Sequence, residues 1–195
     1  MSESIRKTNT KYSEKLGNQL RELTQKQHEL AENQPFAQQL ISGNISKKKY
    51  ATYLFNQHPQ YNLLEMLAMM HGLIDVRIAP KIHEDYQELW EEFQPHQPPL
   101  LPVVKEYMDH LMSIKDDADK LMGHVYVRHM GDLSGGQMIA KRVPGSGKMY
   151  KFDEDVKTLK DRIRERCTDE MADEANCCFE FATKLFEQMA ELPDE

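Results

Sequence analysis

The chain has 195 residues, 39% of them hydrophobic and 29% charged, and carries a formal net charge of −7. That length suits one domain with a core large enough to enclose a ligand, and only 9 Gly and 9 Pro argue against a long disordered segment. The acidic balance argues against nucleic acid as the main partner, because phosphate recognition needs a strongly basic surface.

The first residues, Met1 to Lys7, are polar and lack the apolar run of a signal peptide. No stretch approaches the roughly 18 consecutive apolar residues of a membrane span, and the end Leu192-Pro193-Asp194-Glu195 offers no hydrophobic tail. The expectation is a cytoplasmic, soluble protein without a membrane anchor, forming a single domain over 1–195 with a flexible stretch at 1–10. Cys167, Cys177 and Cys178 are odd in number and show no metal-ligand spacing. They read as reduced thiols. Twelve Met are compatible with an irregular pocket.

Helical periodicity runs almost throughout. Leu16, Leu20, Leu23 and Leu30 predict a first helix ending near Asn33-Gln34-Pro35, and a short helix follows from Phe36 to Ile41. Ser46 is a natural N-cap for a long helix carrying Tyr50, Tyr53, Leu54, Tyr61, Leu64 and Leu67, with Pro59 expected to kink it. Pro80 opens a helix bearing Ile82, Tyr86, Leu89, Trp90 and Phe93, and Pro95 to Pro99 break the chain. Leu101, Val104, Met108 and Leu111 mark the next helix. Asp116 or Asp117 then caps one that runs through Leu121, Val125 and Met130. After the loop Pro144 to Gly147, Asp153 starts a helix with Val156, Leu159 and Ile163, and a last helix carries Phe179, Ala182, Leu185, Phe186 and Met189. Strand-like alternation and internal repeats are absent. The fold class is all-α.

Gly131, Gly135 and Gly136 fall inside the helical pattern of Leu121 to Lys141. Each costs a helix interior about 0.5–1 kcal/mol relative to Ala, so something should compensate. Two readings are open: close helix–helix packing on the Gly131/Gly135 face, or a kinked helix whose backbone approaches a flat ligand.

The run His124-Val125-Tyr126-Val127-Arg128-His129-Met130-Gly131-Asp132-Leu133-Ser134-Gly135-Gly136-Gln137 resembles the distal-helix signature of the haem oxygenase family. His129 stands where that family more often has an aromatic residue, and Met130 where it usually has Leu. Thr24-Gln25-Lys26-Gln27-His28-Glu29-Leu30-Ala31-Glu32-Asn33 resembles the family's first-helix motif. Together with the basic stretch Leu159 to Arg166 and the loop Gly145 to Phe152, the resemblance extends from about Arg21 to Phe186.

The resemblance implies a helical bundle holding haem b between a proximal helix and a kinked glycine-rich distal helix. It implies an enzyme that uses dioxygen and electrons to cleave haem to biliverdin, carbon monoxide and ferrous iron. His28 would be the axial ligand of the haem iron, with Glu32, one turn on, accepting its second ring N–H. His58, His124 and His129 are the alternative ligands. Gly131 and Gly135 would leave room over the haem face. Asp132 would hold an ordered water network that delivers a proton at a distance; an intrahelical contact or an ion pair with Arg128, four residues earlier, is the plainer reading, and both can hold together.

Arg21, which shares a face with Gln25 and His28, would join Tyr126, Lys160 and Arg164 at the propionates. A solvated charged face is the alternative for the basic helix. Nothing resembles a flavin or NAD site, so electrons must come from a partner. For a tail-less member the resemblance favours ferredoxin, received by basic patches at Lys47-Lys48-Lys49, Lys141-Arg142 and Lys148-Lys151. A bilin reductase would act downstream, and attack at the alpha meso carbon is the expected regiochemistry. Two other classes compete: a haem-binding carrier or sensor on the same scaffold, and a non-haem relative such as a di-iron oxidase or thiamin hydrolase. The cysteines, in the last helices, are badly placed for the latter.

Overall fold

The computed structural model describes residues 19–194. Leu16, the 1–10 stretch and Glu195 lie outside the described residues. Those described form nine α-helices, with no strand among them: α1 (19–32), α2 (Pro35–Ser42), α3 (Lys47–Met70), α4 (Ala79–Trp90), α5 (Pro102–Ser113), α6 (Ala118–Ser134), α7 (Gly136–Ile139), α8 (Val156–Arg166) and α9 (Ala172–Glu191).

Local chemistry sets the boundaries. Pro35 opens α2, and Gly43 closes it in the left-handed region at φ 76°, its N–H donating to the Gln39 carbonyl at 2.9 Å. A Cβ at Gly43 would also lie 2.6 Å from the Arg142 carbonyl oxygen, so both the turn and the close approach demand glycine. Ser46 caps α3 by accepting from Lys49 N, and Asp117 caps α6 by accepting from Lys120 N. The cap of α8 is Asp155, accepting from Thr158 N at 3.0 Å, rather than the expected Asp153. Asp153 lies two residues too early to reach an orphan N–H of the first turn. Phe93 belongs to a 3₁₀ turn after α4, and Pro59 lies within α3 without ending it.

α3 is the central strut, packing on α4, α5 and α6, while α9 packs on α2, α5 and α6. Surrounded in this way, α3 buries residues around its whole circumference and has no amphipathic stripe. Its buried polar side chains are therefore committed to partners. Asn56 donates to the Thr52 and Pro99 carbonyls and accepts from Leu101 N, tying the proline-rich break to α3. Glu65 accepts from the N–H groups of Ile78 at 2.6 Å and Ala79 at 3.1 Å, filling the role of a cap at the start of α4. Asp85 of α4 likewise accepts from Lys148 N and Met149 N, both at 2.9 Å, fastening the loop after α7. Two apolar clusters flank this polar layer. One joins α2, α3, α4 and the end of α9; the other joins α5, α6, α8 and the start of α9.

Candidate functional site

α6 and α7 are one helical path interrupted at Gly135, which keeps right-handed dihedrals (φ −62°, ψ −33°) and donates to the Gly131 carbonyl. Among the described residues, a Cβ built on Gly131 meets nothing within 4 Å, and one on Gly135 meets only the Gly131 oxygen at 3.8 Å. Gly131, Ser134, Gly135 and Met138 are all exposed and recur at helical spacing, so they form one open stripe. Close packing is thereby excluded as the reason for Gly131 and Gly135. It is the reason for Gly136, where a Cβ would lie 2.6 Å from the Tyr150 ring. Gln137 reinforces that contact by donating to the Tyr150 carbonyl at 3.0 Å.

Behind the stripe lies a buried polar network built from α3 and α6. The Tyr61 hydroxyl donates to Asp132 Oδ2 at 2.8 Å. Burial pushes the Asp132 carboxyl up to about 6, against the lowering effects of the Tyr61 hydrogen bond, His129 and Arg128. The alternative reading, an Arg128–Asp132 ion pair, is not formed among the described residues. Arg128 instead donates to Gln57 Oε1 and Gln60 Oε1, each at 2.9 Å, and its guanidinium lies over the rings of Tyr107 at 4.8 Å and Tyr61 at 5.5 Å. Two amide oxygens and two ring faces hold this permanent charge without a carboxylate, while its buried Nε has no hydrogen-bond partner among the described residues. Tyr53 completes the group through its bond with Gln57, and burial raises its hydroxyl to about 12.

The alternative histidine ligands are all engaged elsewhere. His124 is fully buried between the Tyr107 hydroxyl at 3.0 Å and Glu174 at 2.9 Å. His129 lies 3.1 Å from Glu65 Oε1 and parallel to Tyr61. This contact explains a histidine at that point of the distal signature: it adds a polar partner to a carboxylate that no solvent reaches. His58 packs its ring 4.9 Å from that of His83, and burial lowers its pKa. His28, by contrast, is exposed on α1, with the edge of Phe179 against it at 5.5 Å. Glu32 does not accept from it. The hydrogen bond on this face joins Gln25 to Glu29 at 2.7 Å, whose longer arms meet across one turn.

The four basic or phenolic candidates divide. Tyr126 is half-buried; burial and Cys167 raise its pKa, while Thr24, Arg21 and Arg164 lie close enough to lower it. The fold thus brings Arg21, Tyr126 and Arg164 together from three helices. Arg164 pairs with Asp161 of its own helix at 2.8 Å, and Lys160 is half-buried beside it. Among the expected docking patches, Lys49 is lost. It is buried, pairing with Asp194 at 2.7 Å and donating to the Leu192 carbonyl, because the end of the chain folds back over it. Lys47 pairs with Glu92 and Lys148 with Glu84; Lys48, Lys141, Arg142 and Lys151 are exposed.

Periodicity singled out Tyr53 and Tyr61 only as helix-face residues and passed over Gln57, Gln60 and Glu65. The available signal was their recurrence along α3 opposite Arg128, His129 and Asp132 of α6.

The family model described as heme oxygenase matches residues 14–188. The heme oxygenase of Pyropia yezoensis is 30% identical over 208 residues, spanning 89% of this chain and 85% of that protein. Heme oxygenase 1 of Synechocystis sp. is 26% identical, over 89% and 84%. The crystal structure of heme oxygenase-1 from Synechocystis sp. in complex with heme has the same fold, with a TM-score of 0.79 at 24% identity, covering 89% of this chain and 91% of that one. The heme oxygenase structure from Leptospira interrogans gives 0.76 at 24% identity, covering 88% and 98%. An all-α protein with an open glycine stripe above a buried carboxylate is thus matched over nearly its whole length, and the chain belongs to the heme oxygenase family. No described helix is long and apolar enough to cross a membrane.

Proposed function

We propose that this chain is a haem oxygenase, a haem-degrading enzyme that produces biliverdin, carbon monoxide and ferrous iron. The observation that carries the reading is the pair Gly131 and Gly135, one turn apart, whose missing side chains face open space while the residue between them in the network, Asp132, is a buried carboxyl. Haem, when bound, is both the substrate and the source of the iron at which dioxygen is held.

The residues present fit that ligand. His28, exposed on α1, would supply its imidazole to the haem iron. Gly131 and Gly135 keep side chains away from the oxygen-binding face, so that no strong acid stands there to promote O–O cleavage. Asp132 takes up and releases a proton close to neutral pH, since its pKa is raised to about 6. Tyr61 fixes Oδ2, leaving Oδ1, which has no partner among the described residues, to pass the proton through water. Arg21, Tyr126 and Arg164, with Lys160, receive the propionates, as their convergence supports. The cleft beside His129 and Leu133, about 40 Å³, has room for water and not for a macrocycle.

Electrons come from ferredoxin docking on Lys48, Lys141, Arg142 and Lys151, without a flavin or nicotinamide of the chain's own. The three free thiols support a reducing, cytoplasmic setting. A bilin reductase takes the product onward, and the alpha meso carbon is the point of attack.

The test is addition of hemin, expected to give a Soret band that changes in His28→Ala, followed by ferredoxin and its reductase with chromatographic identification of the bilin. Stable haem binding without bilin would make the protein a carrier or sensor. An unchanged spectrum in His28→Ala would assign the iron to another ligand.

A further inference from the structure

On the side of α6 that packs against α9, a second cluster of ligating side chains belongs to none of the machinery above. Glu174 and Cys177 stand three residues apart on one face of α9, and His110 of α5 reaches across to them. His110 Nε2 lies 2.8 Å from Glu174 Oε2 and 3.6 Å from Cys177 Sγ. The three ligand atoms all fall within 4.8 Å of one another, and all three residues are half-buried. The sequence showed no metal-ligand spacing because the cluster is split between helices more than sixty residues apart.

We propose that His110, Glu174 and Cys177 form a binding site for a borderline-soft divalent cation of the Zn²⁺ type, separate from the haem site. The donor set of one imidazole, one carboxylate and one thiolate is the mixed N/O/S chemistry that zinc selects. At zinc bond lengths of about 2.0–2.3 Å, two ligands on a tetrahedral ion sit about 3.3–3.6 Å apart. The Cys177–His110 separation already has that value. The His110–Glu174 separation is a hydrogen-bond distance that opens by about half an ångström when an ion enters, a displacement within reach of small torsions of Glu174. Binding sends the Cys177 thiol proton to solvent and leaves the His110 proton on Nδ1.

The carboxylate is also held from behind, which favours a ligand role over a chance encounter. Glu174 Oε2 lies 2.9 Å from His124 Nε2, and the other nitrogen of that ring meets the Tyr107 hydroxyl at 3.0 Å. Such an outer layer orients a ligating group.

Titration of the full-length, haem-free chain with Co²⁺ under a phosphine reductant tests the site. The expected result is one equivalent bound, with tetrahedral d–d bands and a thiolate charge-transfer band that Zn²⁺ displaces. The signal should persist in His28→Ala, which removes one exposed imidazole outside the cluster. Cys177→Ser should abolish the charge-transfer band, and Glu174→Gln, which preserves shape, should weaken binding at least about tenfold. Circular dichroism of both variants guards against misfolding. Absence of a thiolate band in the wild type, or a band of equal intensity in Cys177→Ser, would overturn the proposal.

Discussion

The segment Gly123 to Gly136 contains two kinds of glycine. At Gly123 a Cβ would lie 3.0 Å from the Met171 carbonyl oxygen and 3.2 Å from Ala175 N, and at Gly136 it would strike the Tyr150 ring. Those two let neighbouring elements approach. At Gly131 and Gly135 the same atom would meet almost nothing. Their loss of helix propensity is not recovered by packing, so the protein carries an uncompensated weakness of about 0.5–1 kcal/mol at each. A stripe kept bare at that expense, beside a buried carboxyl, marks a surface reserved for something outside the chain. The contrast separates stability from function within one helix: changes on the bare stripe and its carboxyl should register in turnover, changes at the packed pair in folding.

The largest effect is expected at Asp132. In Asp132→Asn, turnover should fall about 10²–10⁴-fold while the hemin spectrum persists, read by single-turnover assay. The same variant should be more stable at neutral pH. The unfolded carboxyl titrates near 3.8 and the folded one near 6, so the native state holds the extra proton between those values. Its stabilising contribution is complete below the lower value and is lost as pH rises through about 6. Two pKa units at about 1.4 kcal/mol each make the gap up to about 3 kcal/mol. Urea melts at pH 4 and 7.5 should therefore diverge for the wild type and the variant; parallel behaviour would remove the buried proton from the account.

Gly136→Ala should destabilise by about 1–3 kcal/mol, because the buried Tyr150 ring must move, with the fall in denaturation midpoint as the readout. Tyr61→Phe removes one hydrogen bond, worth about 0.5–1.5 kcal/mol, and raises the Asp132 pKa further. Its signature is a pH–rate profile displaced upward. Smallest in stability is Gly131→Ala, expected to raise it by about 0.5–1 kcal/mol while lowering turnover or altering the bilin isomer. A destabilised Gly131→Ala with normal turnover would erase the distinction between the two kinds of glycine.

Much of this was legible in the chain. Caps such as Ser46 and Asp117, the prolines at helix starts and the apolar periodicity all act within a few residues, so the helices could be read directly. His28 and the run Gly131 to Gln137 were legible as motifs, through resemblance. The partners of those motifs were not. Tyr61 and Asp132 are 71 positions apart, as are Gln57 and Arg128, and His129 and Glu65 are 64 apart. Three carboxylates that look alike in sequence take separate tasks: Glu65 caps α4, Glu174 receives two histidines, and Asp132 is desolvated until its pKa rises to about 6. Lys49 reads as one of three equivalent lysines, yet its charge is buried against Asp194 at the far end of the chain.

The sequence by itself determined where helices begin and end, that glycine interrupts α6, and which family's motifs are present, because those depend on neighbours along the backbone. Only the tertiary structure decided what each glycine faces, which carboxyl is desolvated and which of the candidate histidine ligands is exposed. Burial and Coulomb interactions depend on distance through space, and in a bundle the nearest atoms belong to other helices.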